Sequence, residues 1–271
     1  MLPPEGFFAP GIEEFFFDPY TWGPFGALEG TPFEVNRIVL MMLFMTGALC
    51  LLFGLGFRRA QVVPRGLQNV LESMTEFIRV QVAEDVMGKA GAKRFAPYLT
   101  ALFFFVLAFN ITSVLPPFHL PINGVIAVPL ILSVITWVMF NYAGIKAQGA
   151  GGYLKGSLFP PGLPPFLYVL VTPIELVSTF ILRPFTLTVR LLANMLAGHL
   201  ILALFFYATT YLLLGPFQAD GSPWYTAIFG VGALGAGVAF TFFEVLVAFL
   251  QAYIFTLLTA VYLAGSLEAH H

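Results

Sequence analysis

Long apolar runs alternate with short polar punctuation along this chain. The first run, Val35 to Phe57, is long enough to cross a bilayer with some tilt, and Arg58, Arg59 and Arg65 follow it at once. Pro64 to Met87 has a different pattern. Leu67, Val70, Leu71, Met74, Phe77 and Ile78 repeat at three and four, while Glu72, Glu76, Arg79 and Glu84 fall elsewhere on the helix. This predicts an amphipathic helix at the membrane surface or against neighbouring helices. Phe95 to Leu115 is the next apolar run, with Asn110 in mid-span, and Pro116 and Pro117 end it. Gly124 to Ile145 returns, and residues 148–165 read as a Gly/Pro-rich connection.

Two further runs are too long for simple spans. Phe166 to Leu214 would measure about 74 Å as a helix, and Trp224 to Gly265 about 63 Å, against a hydrocarbon core of about 30 Å. Pro216, Asp220, Gly221 and Pro223 mark a turn between them. Each run could break into two spans, with Pro173 and Pro184 kinking the first, but neither contains a polar loop. The alternative is a long hairpin lying nearly in the membrane plane, and this is the expectation. The predicted fold is thus an all-α polytopic membrane protein. It has about five membrane-embedded helices plus one amphipathic helix, and its two long C-terminal helices form a steeply tilted hairpin. The predicted divisions are a tail (1–34), a transmembrane helix (35–57), the amphipathic helix (64–87), a transmembrane hairpin (95–146) and the tilted hairpin (166–265).

Composition supports a lipid-bilayer protein: 59% of the 271 residues are hydrophobic and 10% charged, against about 25% charged in soluble domains. The mean hydropathy is +0.88. Basic residues are confined to Arg37 through Arg190. The positive-inside rule puts the loops after Phe57, around Lys89, Lys93 and Arg94, and at Lys146 and Lys155 in the cytoplasm. The acidic N-terminal tail, with Phe15, Phe16, Phe17, Tyr20 and Trp22 as an interfacial anchor, is then outside, and the C-terminus is cytoplasmic. No cleaved signal peptide is expected. A single cysteine, Cys50, permits no intrachain disulfide. Phosphate-binding loops, metal-ligand spacings and nucleophile elbows are missing from the sequence. No metal, cofactor or nucleic-acid partner is therefore expected, and the terminal His270 and His271 read as tail.

Chemistry concentrates in the hairpin. Arg190 lies among Leu, Val, Phe and Ala. A guanidinium at membrane depth costs about 2.5–3.5 kcal/mol on insertion scales, so something outside the stretch must compensate it. Snorkelling or a structural ion pair is the plain reading; an ion path is the functional one. Asn194 falls about 40° from Arg190 on the same helical face, and His199 about 180° away. The first long helix also carries Glu175, Ser178, Arg183 and Thr186. The second carries Glu244 and Gln251, within about 20° of each other. Antiparallel pairing would bring Glu244 near His199 and Gln251 near Arg190. Such a cluster is either polar glue between helices or a proton relay.

The stretches RPFTLTVRLLANMLAGHLI (183–201) and FEVLVAFLQAYIFTLLTAVYLAGSLE (243–268), with NITSVLPPF at 110–118, resemble subunit a of the F-type ATP synthase. That resemblance covers most of the chain. It implies tilted helices curved around a rotating ring of c subunits, with Arg190 as the essential stator arginine and two offset aqueous half-channels for the translocated proton. By position, His199, Glu244, Gln251 and Asn194 match the outer half-channel and its approach to the ring, and Glu175 and Ser178 the inner side. Asn110, Ser113 and Thr186 are weaker candidates. The implied partners are the c-subunit ring, the peripheral-stalk b subunits and the rest of the complex in a bacterial plasma membrane, with nucleotide chemistry in other subunits.

Two departures qualify the match. Many bacterial relatives carry a carboxylate at the place of His199 and a histidine at that of Glu244; here they are exchanged, as in mitochondrial forms. Ser113 stands where an acidic residue is often found. The competing classes are a self-contained channel or secondary transporter, which would need substrate ligands and usually an internal repeat, and a membrane scaffold, which would leave Arg190 unexplained.

Overall fold

The computed structural model describes residues 10–11, 35–115, 120–159, 165–215 and 223–267. Among them every regular element is a helix, and there are no strands. The helices are α1 (Arg37–Phe57), α2 (Leu67–Ile78), α3 (Asp85–Ile111), α4 (Ala127–Leu158), α5 (Tyr168–Val177), α6 (Arg183–Leu214) and α7 (Thr226–Leu267). Wide π-type turns at Arg79–Glu84 and Ser178–Leu182 join α2 to α3 and α5 to α6. Five continuous helical stretches are long and apolar enough to cross a membrane. The acidic, aromatic tail lies almost entirely outside the described residues, as do Pro116 to His119, the tip of the hairpin and the terminal histidines.

Local chemistry accounts for the breaks. Asn36 caps α1, its Oδ1 accepting from the Val39 amide at 3.0 Å. Gly88 (φ 69°, ψ 172°) interrupts α3, separating the amphipathic stretch from the apolar one. Gly149 (φ 76°, ψ 159°) does the same in α4. The chain resumes helix beyond Gly149 as far as Leu158, where the glycines read as connection. The structure shows why: Tyr153 is buried and donates to Asn141 Oδ1 at 3.0 Å, which holds the short helical piece to the main one. Pro184 has no amide hydrogen and crowds the carbonyl four residues earlier. The π turn just before it absorbs that defect, so the first long run is bent rather than divided.

The described residues fall into two compact units. One takes those within Met1–Phe44, Phe109–Val125 and Ala193–Leu250; the other takes Met45–Ala108, Ile126–Leu192 and the remainder from Gln251. The second unit holds a core of Leu71, Ile78, Val82, Leu99, Phe103, Phe140, Leu187, Leu191, Phe255 and Leu263. The amphipathic face divides here. Leu71 and Ile78 are buried, while Leu67, Val70 and Phe77 stay exposed. Gln68 is buried among them, accepting from the Gln61 amide at 3.0 Å and donating to Glu72 at 2.6 Å. In the first unit, α6 and α7 pack antiparallel. Small residues permit the approach: Gly230 faces Leu213, Gly237 faces Phe205, and Gly198 faces Glu244. These pairs keep one register to within a residue over four turns. In the second unit Leu187 and Leu191 share a core with Ala252 and Phe255.

Candidate functional site

In the first unit the register of α6 against α7 brings the Glu244 carboxylate onto the backbone at Gly198, the residue before His199. Both ionisable residues are enclosed: Glu244 is 4% exposed and His199 8%. The absence of a side chain at 198 leaves the carboxylate in this position, where a Cβ would overlap Glu244 Oε1. Asn194, one turn before Gly198 on α6, is half-buried.

A second polar group approaches α7 from the end of α3. Asn110 is 3% exposed; its Nδ2 donates to the Ala248 carbonyl at 3.3 Å, and its Oδ1 accepts from Asn123 Nδ2 at 2.7 Å. Ala248 is one turn beyond Glu244. Asn123 is fully buried, and its own Oδ1 has no hydrogen-bond partner among the described residues. Sequence reading passed over Asn123, because a single amide in the turn sequence PING gives no periodic or spacing signal. Ser113 donates to the Asn110 carbonyl at 2.9 Å and closes the end of α3. Its hydroxyl is thus engaged in the local turn.

The second unit holds the two arginines of α6, in opposite circumstances. Arg183 is half-buried, with its guanidinium 5.1 Å from the Tyr262 ring and 5.8 Å from the Phe140 ring. Stacking on two aromatic faces satisfies a weakly hydrated cation. Arg190 is exposed and makes no ion pair among the described residues, unlike Arg79, which pairs with Glu76 and Glu84. Gln251 is 7% exposed, and its Nε2 is buried without a hydrogen-bond partner among the described residues. Thr186 is exposed, and its hydroxyl returns to the Leu182 and Arg183 carbonyls at 2.8 and 3.1 Å. Glu175, near the end of α5, and Ser178, in the π turn, are half-buried.

The family described as ATP synthase A chain matches residues 39–264. The chain belongs to the ATP synthase subunit a family. Curated relatives span it nearly end to end. ATP synthase subunit a of Rhodococcus erythropolis is 46% identical over 268 residues, covering 99% of this chain and 93% of the relative. The subunit a of Frankia alni is 43% identical, covering 98% and 88%, and that of Streptomyces lividans 36%, covering 98% and 90%. Family membership and the five apolar helical stretches make this a multi-pass membrane protein of the ATP synthase.

Proposed function

We propose that this chain is the proton-translocating stator subunit of the membrane sector of an F-type ATP synthase. Arg190 meets the carboxylates of a rotating c-subunit ring, and two offset half-channels lead to that meeting point. The observation that carries this is Arg190 itself, exposed on an apolar helix with no anionic partner among the described residues. Membrane insertion of such a cation is unfavourable unless a neighbouring molecule supplies the counter-charge. A ring of carboxylates does so, one after another.

The mechanism follows from electrostatics. A proton enters from outside past the buried His199 and Glu244, with Asn194, Gln251, Asn110 and Asn123 as polar steps, and neutralises a ring carboxylate. The neutral site crosses lipid at small cost. On reaching Arg190, the carboxylate is favoured in its ionised form by the adjacent guanidinium. It releases its proton toward Glu175 and Ser178 on the inner side. The same fixed charge repels a proton attempting to pass directly between the half-channels. Each charge crossing a field of 100 mV releases about 2.3 kcal/mol, so several transfers combine to make one ATP.

Reconstitution tests the reading. The chain alone in proteoliposomes should pass almost no protons under an imposed potential, whereas the assembled complex should couple proton flow to ATP synthesis. Rapid solute or proton movement by the chain alone would favour a self-contained channel or transporter instead.

A further inference from the structure

A cleft of about 990 Å³ opens in the second unit beside α1, α2 and the apolar half of α3. None of the residues placed on the proposed proton path lines it. Its wall is aromatic and aliphatic, with Phe53, Phe57, Phe104 and Phe105. Its mouth carries Arg79, Glu84, Lys89 and Lys93. Arg79 and Glu84 hold each other at 3.4 Å. Lys89 and Lys93 therefore add two positive charges that no carboxylate among the described residues pairs. They are four residues apart on one helical face, immediately after the break at Gly88.

Two hydroxyls point to a ligand. Thr75 and Thr100 line the cleft, and both Oγ1 atoms are buried without a hydrogen-bond partner among the described residues. Thr100 is 7% exposed. A threonine in a membrane helix ordinarily donates to the carbonyl four residues back. Thr188, Thr209, Thr241, Thr256 and Thr259 all do so here. Thr75 and Thr100 keep their protons available for an acceptor in the cleft.

We propose that the cleft binds one anionic phospholipid from the leaflet on the side of the basic loops. Its phosphate lies at Lys89 and Lys93, its glycerol esters at Thr100 and Thr75, and an acyl chain along Phe53, Phe104 and Phe105. The order of residues is the order of groups in the lipid. Along α3, Thr100 is about 10 Å from Lys93, and Phe104 about 6 Å farther. Phe53 of α1 closes the deep end, meeting Phe104 edge to face at 4.9 Å. Ester carbonyls accept hydrogen bonds and donate none, which matches two free hydroxyl protons. An apolar helix of another subunit would cover the wall but leave both hydroxyls and both ammonium groups without acceptors.

The test uses the assembled complex in nanodiscs containing phosphatidylglycerol or phosphatidylcholine with a diazirine in the acyl chain, photolysed and mapped by peptide mass spectrometry. The anionic probe should label residues around Phe53 and Phe104 about tenfold more than the zwitterionic one, as two lysines at a membrane surface imply. Lys89→Gln with Lys93→Gln should remove that preference, and the double arginine variant should keep it. Thr100→Val should lower labelling by both probes about threefold, the loss of one hydrogen bond. Ala101→Phe should block both, and with Thr100→Val it carries the test should the glutamine pair fail to assemble. Equal labelling by the two probes, labelling unchanged in Ala101→Phe, or no labelling at these positions would overturn the proposal. The last result is the one expected if a protein helix fills the cleft.

Discussion

Substituting alanine for Gly198 moves the Glu244 carboxylate without changing its chemistry. A Cβ at position 198 would overlap Oε1 and lie 2.5 Å from Oε2, whereas ordinary contact begins at 3.4 Å. The carboxylate must retreat by about 1 Å. It is the end of a flexible side chain, so an off-rotamer adjustment of about 0.5–1.5 kcal/mol suffices. Alanine in place of glycine repays about 1 kcal/mol through helix propensity. The two nearly cancel, and the complex should assemble at its usual level. Transfer between groups held in line is less forgiving, since a 1 Å displacement can cost about 100-fold. Gly198→Ala should therefore slow proton-driven ATP synthesis by about 10- to 100-fold per assembled complex. Gly230→Ala is the control. Its Cβ would lie 2.7 Å from Leu213 Cγ and 2.9 Å from the Leu213 amide nitrogen. Backbone cannot retreat, so overpacking should cost about 1–3 kcal/mol and lower the amount of complex, with the rate per complex retained. The assay is ATP synthesis in vesicles under an imposed proton gradient, normalised to assembled complex by immunoblot. Full activity per complex in Gly198→Ala would refute the need for Glu244 at that position.

Further outcomes can be stated. His199→Glu and Glu244→His should each slow synthesis strongly, because each leaves a buried ionisable group in altered company. The double exchange should recover part of the loss, and simple additivity in the double-mutant cycle would mean that the two residues act independently. Asn123→Ala removes the donor to Asn110 Oδ1 and should slow proton delivery severalfold with assembly intact; an unchanged rate would make Asn123 purely structural. Cysteines at Glu13 and Glu268, in a Cys50→Ser background, should react with impermeant reagent from opposite sides of the membrane. Labelling from one side would mean an even number of crossings.

The hairpin was legible in the sequence because two apolar runs of unusual length flank a Pro/Gly turn, and length alone excludes simple spans. The polar residues on the two helices predicted an antiparallel pairing with Glu244 near His199, and Gly198 against Glu244 agrees with that half of it. Other features were not readable. The helix beyond Gly149 depends on a tertiary hydrogen bond from Tyr153, which local glycine content cannot reveal. The amphipathic helix showed one apolar face, but whether Leu71 or Val70 is buried depends on what packs against each. Asn123 matters through its contact with Asn110, thirteen residues away across a turn. The sequence singled out Arg190 and gave Arg183 no role of its own. The structure separates them further, since Arg183 is half-buried against the Phe140 and Tyr262 rings while Arg190 is exposed.

Arg190→Lys is the most direct test of the stator role. Lysine preserves the formal charge and nearly the length, but a desolvated ammonium can lose its proton where a guanidinium does not. The measurement is gradient-driven ATP synthesis in vesicles whose complexes are quantified by subunit content. Synthesis should fall to background while assembly remains normal. Synthesis at the wild-type rate in Arg190→Lys complexes would contradict the account.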